Sequence, residues 1–361
     1  MMPSQRMSLI FIAVGLATSV GCGSSTSHTA YASLPNSNAV AAFRIKTRTS
    51  TSSTSNSLVF STIVGSPYPT GNSPSSVLVH PSNRFVYVSN QSENDISLLA
   101  IDSSLGSLKE VLPRTPAGLS PASLTMDKAG NFLFAANQVS SSISVYSINS
   151  ASGALTAVAG SPFPTFANPV ALAISPSAKF LYVLNTNLAS VFAYSISSGV
   201  LQPVAVPPVQ VGTGPIALAV DPAETFVYVA NSTDNTVSVL SISPSTGALT
   251  PLGTFATGTT PTGVAVLGQF LYVANLGSGN ISAFSVAPTT GILTAVTNSP
   301  FVAGTAPLFE VIDPDNLFLY VGSEKQDTIT ALSINTTTGA LAVASQTTST
   351  GVSPSSMSVG K

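Results

Sequence analysis

Charge is scarce in this chain. Aspartate, glutamate, lysine and arginine make up 7% of 361 residues, against about 25% in ordinary globular proteins, and the net charge is only −2. A surface that follows nucleic-acid phosphates needs clustered lysine and arginine. The 11 here are scattered along the chain, which excludes nucleic acid as a partner. Cysteine occurs once, at Cys22, so no internal disulfide can form. Histidine occurs twice, as His28 and His80. Phosphate loops, serine-elbow motifs and zinc-ligand or calcium-loop spacings are all missing, so neither a cofactor nor a metal is expected. Outside the N-terminus no window has a 3.6-residue period, which excludes helical repeats.

What the chain does contain is repetition. An aromatic landmark recurs as Tyr31, Tyr87, Phe134, Tyr182, Tyr228, Tyr272 and Tyr320, at steps of 56, 47, 48, 46, 44 and 48 residues. Nine residues after each stands a β-branched residue, Val40, Ile96, Ile143, Val191, Val237, Ile281 or Ile329, and five further on a second one. A Gly-x-Leu turn follows in most copies, then a proline (Pro74, Pro121, Pro169, Pro215, Pro261, Pro307, Pro354) that opens an alternating segment. Each unit therefore holds four short strands divided by Gly, Pro, Asn, Asp and Ser. Strand A follows the proline, strand B carries the landmark, strand C carries the β-branched pair, and strand D follows Gly-x-Leu. Four strands in about 45 residues is the arithmetic of a β-propeller blade. The expected fold is all-β, a seven-bladed propeller of four-stranded antiparallel sheets, forming one domain over residues 29–361.

The first copy begins at strand B, and residues 353–359 match the strand A segment that begins at Ser73. The C-terminal strand is thus expected to join the N-terminal strands in one blade and close the ring.

Ahead of the repeats, Arg6, the apolar residues 7–20 and Gly21-Cys22-Gly23-Ser24-Ser25 have the parts of a secretory signal. The apolar run is too short to span a membrane comfortably. Cys22 after Val20-Gly21 resembles a bacterial lipobox, although Ser19 departs from the usual large aliphatic residue. Residues 1–21 are therefore expected to be a signal peptide, Cys22 a lipidation site, and residues 22–28 a short tether. This predicts export to the cell envelope, at the outer membrane or cell surface, with the membrane as partner through a lipid anchor. The tether would turn the face carrying the A-to-B and C-to-D turns toward the lipid. An enlarged C-to-D loop at 46–57, with Lys46 and Arg48, lies on that face. A monomer is expected.

Tyr-Val-x-Asn recurs at 87–90, 182–185, 228–231 and 272–275. With the Pro-x-x-apolar strand and the Gly-x-Leu turn, it resembles the YVTN-type repeats of the lactonase family of seven-bladed propellers, which includes 6-phosphogluconolactonase. The resemblance covers about residues 30–361. It implies polar catalytic groups at the mouth of the central channel, with histidine, arginine and glutamate as the expected types.

Period-2 alternation places Ser76, Ser123, Ala171, Ala217, Gly263, Phe309 and Ser356, two residues past each proline, on one face of strand A as the lining of the channel mouth. None of these is charged or histidine; His28 lies in the tether and His80 in an A-to-B turn. Glu310 breaks the pattern, standing where the other blades have Val77, Leu124, Leu172, Leu218, Val264 and Met357. A carboxylate at an apolar strand position is costly, so Glu310 is the one catalytic candidate, with a bulge or water contact as the alternative. Asn90, Asn137, Asn185, Asn231 and Asn275 read as turn formers at the end of strand B. The few top-face charges, Glu93, Asp95, Asp234, Glu324, Lys325 and Asp327, sit in separate blades. With so few titratable groups at the mouth, the sequence points first to a lipid-anchored binding or scaffold module with an unidentified protein or small-molecule ligand. A lactone hydrolase is the alternative.

Overall fold

A computed structural model describes residues 25–48, 57–166, 168–204 and 207–361. The expected signal peptide and Cys22 lie outside these residues, as does most of the enlarged loop.

Seven antiparallel sheets, blades I to VII, each run A-B-C-D from the inside outward. The inner strands A are Pro74–Val79 (blade II), Pro121–Met126 (III), Pro169–Ile174 (IV), Pro215–Val220 (V), Pro261–Leu267 (VI), Pro307–Ile312 (VII) and Ser356–Gly360 (I). Each touches the strand A of the blade on either side, completing a ring around the axis. In blade I the C-terminal strand pairs antiparallel with the N-terminal strand B, with Tyr31 opposite Ser358. The ring is thus closed by the two ends of the chain, as their sequences imply.

The landmark residues hold neighbouring blades together. Six of them are tyrosines buried almost completely, and a buried phenol needs an acceptor for its hydroxyl. Tyr31, Tyr87, Tyr182 and Tyr272 each donate to the carbonyl of the Gly-x-Leu glycine in the next blade, Gly106, Gly153, Gly247 and Gly339, at 2.7–3.2 Å. Those glycines have φ of 72–76°, a region open to glycine and strained for other residues. A Cβ on Gly247 would lie 2.2 Å from the Phe180 ring. Gly247→Ala is therefore expected to lower stability by about 2–4 kcal/mol, read as a lower urea midpoint with an unchanged slope.

Two boundaries differ from the sequence reading. Strand B of blade I starts at Ser25, so residues 25–28 of the expected tether belong to the sheet, with His28 opposite Ile45 and buried. Strand C of the same blade continues to Arg48, which places Lys46 and Arg48 in the sheet and shortens the loop. In both cases β pairing continues because each strand supplies the other's backbone partners. Strand D is also split in blades I, III, IV and VI, where a second short piece pairs with strand C. In three of these the break falls at a Ser-Pro step. Ser66, Ser161 and Ser299 use their hydroxyls to accept the strand C N–H of Ala42, Val145 and Ala283, each at 2.9 Å.

Candidate functional site

Because the sheets stand radially, alternate side chains of strand A face the two neighbouring blades. The edge of the strand, with its free backbone groups, faces the axis. The residues two past each proline point sideways. Ser76 Oγ accepts from Leu124 N at 3.2 Å, Ser123 Oγ from Leu172 N at 3.4 Å and Ser356 Oγ from Val77 N at 3.4 Å, each in the following blade. Ala171 and Ala217 occupy the same positions half-buried, Gly263 is buried, and Phe309 packs toward blade I. The expected lining residues therefore sit in the inner ring, but their chemistry faces the seams between blades.

A β-bulge supplies the residues nearest the axis. In blades II to VII the register of strand A shifts just after the proline, leaving Ser75, Ala122, Val170, Ile216, Thr262 and Leu308 unpaired. A bulge re-aims the side chain that it frees. Ile216 is 43% exposed although it lies on an innermost strand. Ser75 and Thr262 bond the carbonyls of Pro121 and Pro307, the first residues of the next inner strands, at 2.7 and 3.0 Å. Ser355, just before the blade I strand, reaches the Pro74 carbonyl at 3.3 Å. The mouth is thus edged by hydroxyls and aliphatic groups.

Glu310 is the only titratable side chain in the seven inner strands. It points from blade VII back toward blade VI. Both its carboxyl oxygens are buried without a hydrogen-bond partner in good geometry, although the backbone edge of the residue faces the channel and leaves it half-buried overall. Burial raises its pKa from 4.5 to about 8, and the nearby N–H of Ala274 offsets this only in part. Burial therefore favours the neutral form of the carboxyl group. Gly263 makes the space: a Cβ there would meet Glu310 Oε2 at 2.0 Å. The neighbouring Phe309 has the same kind of answer, its ring lying where a Cβ on Gly322 would stand. Blade VII thus carries two oversized inner residues, each matched by a glycine. Both glycines depart from the repeat and could have been found by asking what faces each large residue.

The other candidates are structural. Asn90, Asn137, Asn231 and Asn275 are fully buried and donate across the hairpin to Ser97, Ser144, Ser238 and Ser282, each at 2.9 Å and seven residues on. The sequence reads them as turn formers; the strand B–strand C register brings a serine opposite each of these four instead. In the same four blades a glycine (Gly71, Gly118, Gly212, Gly258) lies so close over the amide that a Cβ would clash. Blade IV replaces both small partners with Phe166 and Phe192, whose rings stack at 4.4 Å. Those rings, Tyr194 and four prolines line an apolar cavity of about 500 Å³. It lies on the outer strands, and Tyr194 is its only titratable lining group, so it is unsuited to acid–base chemistry. His80 has both ring nitrogens engaged, by Ser82 at 2.8 Å and the Gly130 carbonyl at 3.0 Å.

One charged group was missed in the sequence. Arg114 on strand D reaches Glu93 at 2.5 Å and Glu110 at 2.7 Å, while Asp95 accepts from Asn90 at 2.6 Å. Burial raises the Asp95 pKa, and the hydrogen bond to Glu110 raises that of Arg114. This cluster gathers arginine and glutamate on the outer top edge of blade II, away from the axis.

The family described as lactonase, 7-bladed beta-propeller, matches residues 24–165 and 172–358, which include strands of all seven blades. The chain belongs to this lactonase family. No functionally curated protein matches its sequence. Among solved structures, this family member is similar to a Bacteroides fragilis protein assigned provisionally as a 6-phosphogluconolactonase (TM-score 0.76, 21% identity, covering 95% of this chain and 99% of that one). A Bacteroides uniformis protein with the same provisional assignment gives TM-score 0.77 at 19% identity, covering 92% and 99%. The periplasmic gluconolactonase of Pseudomonas aeruginosa gives 0.74 at 18%, covering 93% and 99%. These likenesses establish the fold.

Family membership corrects the first functional expectation, a lipid-anchored binding or scaffold module. That expectation rested on the lack of titratable groups among the residues two past each proline. In this lactonase-family ring those side chains face neighbouring blades, so their composition says nothing about the channel.

Proposed function

We propose that this chain hydrolyses a lactone at the mouth of the central channel. The observation that carries the reading is the family match, which runs through all seven blades. The similar structures assigned as lactonases support it. In the reaction, water adds to the lactone carbonyl, the ring C–O bond breaks, and its oxygen takes a proton to give the open hydroxy acid. Glu310, whose carboxyl group rests in the seam between blades VI and VII, is the acid–base group once its side chain turns into the channel: its carboxylate form takes a proton from the attacking water and the acid returns one to the leaving oxygen. With no lysine or arginine on any inner strand, a neutral sugar lactone suits this ring better than a phosphorylated one.

Purified full-length protein assayed on gluconolactone is expected to exceed the spontaneous rate. Glu310→Gln should lower that excess by about 100-fold or more. The enzymatic rate should rise with pH through about 8, where the buried carboxyl ionises. A rate equal to the spontaneous one on neutral and phosphorylated lactones alike would remove the function. Full activity in Glu310→Gln would keep the function and remove Glu310 from it.

A further inference from the structure

At the opposite end of the blades from the mouth, the ring-closing seam holds a second polar cluster. His28, on strand B of blade I, points against the A-to-B turn of blade VII, which carries Asp313 and Asp315. Its Nε2 lies 2.8 Å from Asp315 Oδ2, and Thr26 Oγ1 donates to the same carboxyl oxygen at 2.7 Å. One donor atom from each of His28, Asp313 and Asp315 lies within 4.8 Å of the other two. These are the only three such ligand-type residues found together among the described residues.

The cluster is incompletely satisfied. His28 is 6% exposed and Asp313 1%, yet His28 Nδ1 and Asp313 Oδ2 are buried without a hydrogen-bond partner in good geometry, the backbone N–H of Asp315 being the further donor near Asp313. Changing the protonation of His28 does not help: a proton on Nδ1 is a buried donor without an acceptor, and its absence leaves a buried lone pair. Asp313 Oδ1 already accepts from Leu317 N and Phe318 N, at 2.6 and 2.7 Å. Asp221 in blade V makes the same turn contacts, and no buried oxygen of Asp221 is left over. Asp315 has no acidic counterpart in blades II to V, where Ser82, Ala129, Ser177 and Ala223 stand. Buried polar atoms without partners are uncommon in folded proteins and call for a cause.

We propose that His28, Asp313 and Asp315 bind one divalent transition-metal ion, Zn²⁺ by donor type, that ties the N-terminal strand to blade VII. Imidazole selects zinc-like ions over calcium and magnesium, which take oxygen ligands in larger number. Donors around a tetrahedral zinc stand about 3.3 Å apart, so the cluster needs only small shifts to receive it. A cation gives Asp313 Oδ2 the partner that it lacks and separates two carboxylates of one turn. Asp315, with its side chain 31% exposed, supplies the route from solvent, and Thr26 orients it.

Full-length protein stripped with a chelator and titrated calorimetrically with zinc chloride is expected to bind one equivalent and to melt at a higher temperature when loaded. Co²⁺ in its place should give a visible ligand-field spectrum. Asp315→Asn and His28→Gln should each weaken binding at least tenfold, and His80→Gln should not. Metal-free circular dichroism checks that the variants fold; if His28→Gln does not, Asp315→Asn decides alone. Three results would overturn the proposal: no saturable zinc uptake, uptake unchanged in Asp315→Asn, or equal stabilisation by calcium.

Discussion

Removal of residues 351–361 is expected to destroy cooperative folding rather than trim a terminus. The lost strand, Ser356–Gly360, pairs with residues 29–33 of strand B and touches the inner strands of blades II and VII. Met357 is 7% exposed and packs with Phe318, Tyr320 and Ala32 across the blade VII–blade I seam. On the other side, Ser358 Oγ accepts from Val79 N at 3.0 Å, and Asn83 exchanges two hydrogen bonds with the backbone of Lys361 at 2.8 and 3.0 Å. Burying one such side chain is worth about 2–3 kcal/mol, and each buried polar group left unpaired costs about 1–3 kcal/mol. The sum reaches the whole stability of many domains. A ring opened at one blade also exposes a sheet edge prone to pair with other chains. Urea unfolding of the truncated and full chains side by side is the measurement. Truncated protein with an unchanged midpoint would show that the ring does not depend on this closure.

The second large effect is a pH dependence that Glu310 imposes on stability. Its folded pKa, about 8, lies above the ordinary 4.5. Between those values the folded protein keeps a proton that the unfolded chain has released. Stability should therefore be unaffected by Glu310 below pH about 4.5, fall as pH rises through the window, and level off above about 8. At about 1.4 kcal/mol per pKa unit, the accumulated loss is several kcal/mol. Gln has the same shape and no proton to lose, so Glu310→Gln should remove the fall, whatever constant offset its amide adds. Unfolding free energies of both proteins from pH 4.5 to 9 should diverge steadily as pH rises. Parallel curves would mean that the carboxyl group is solvated. The substitution proposed to lower lactone hydrolysis about 100-fold is thus expected to remove the loss of stability at alkaline pH, a trade-off between activity and stability.

Much of the architecture is legible in the sequence because each blade repeats the same local demands. The landmark tyrosine and the Gly-x-Leu glycine recur at nearly constant spacing since they meet across the seams between blades. Four of the tyrosine–glycine hydrogen bonds show the contact directly. The cyclic offset of the repeat was enough to assign the closing strand. The anomaly at Glu310 was also visible, as a break in an otherwise apolar column.

The candidate site was less legible. Simple alternation assigns Ser76 and its counterparts to the channel, but the bulge at Ser75 and the radial stance of the sheets turn them to the seams. Arg114, on strand D, and Glu93, in the turn between strands B and C, lie 21 residues apart, and no local pattern joins them. His28 and Asp315 lie 287 residues apart and meet only when the ring closes.

By itself the sequence determined the number of blades, the four-strand unit and the blade in which the two ends meet. Periodic hydrophobicity and turn chemistry act between residues close in the chain or at a fixed repeat. Only the tertiary structure decided which way each inner side chain faces, that Gly263 shelters Glu310, and that a histidine and two aspartates converge at the seam. Those depend on the radial packing of neighbouring blades and on ring closure, which bring together residues that no sequence interval relates.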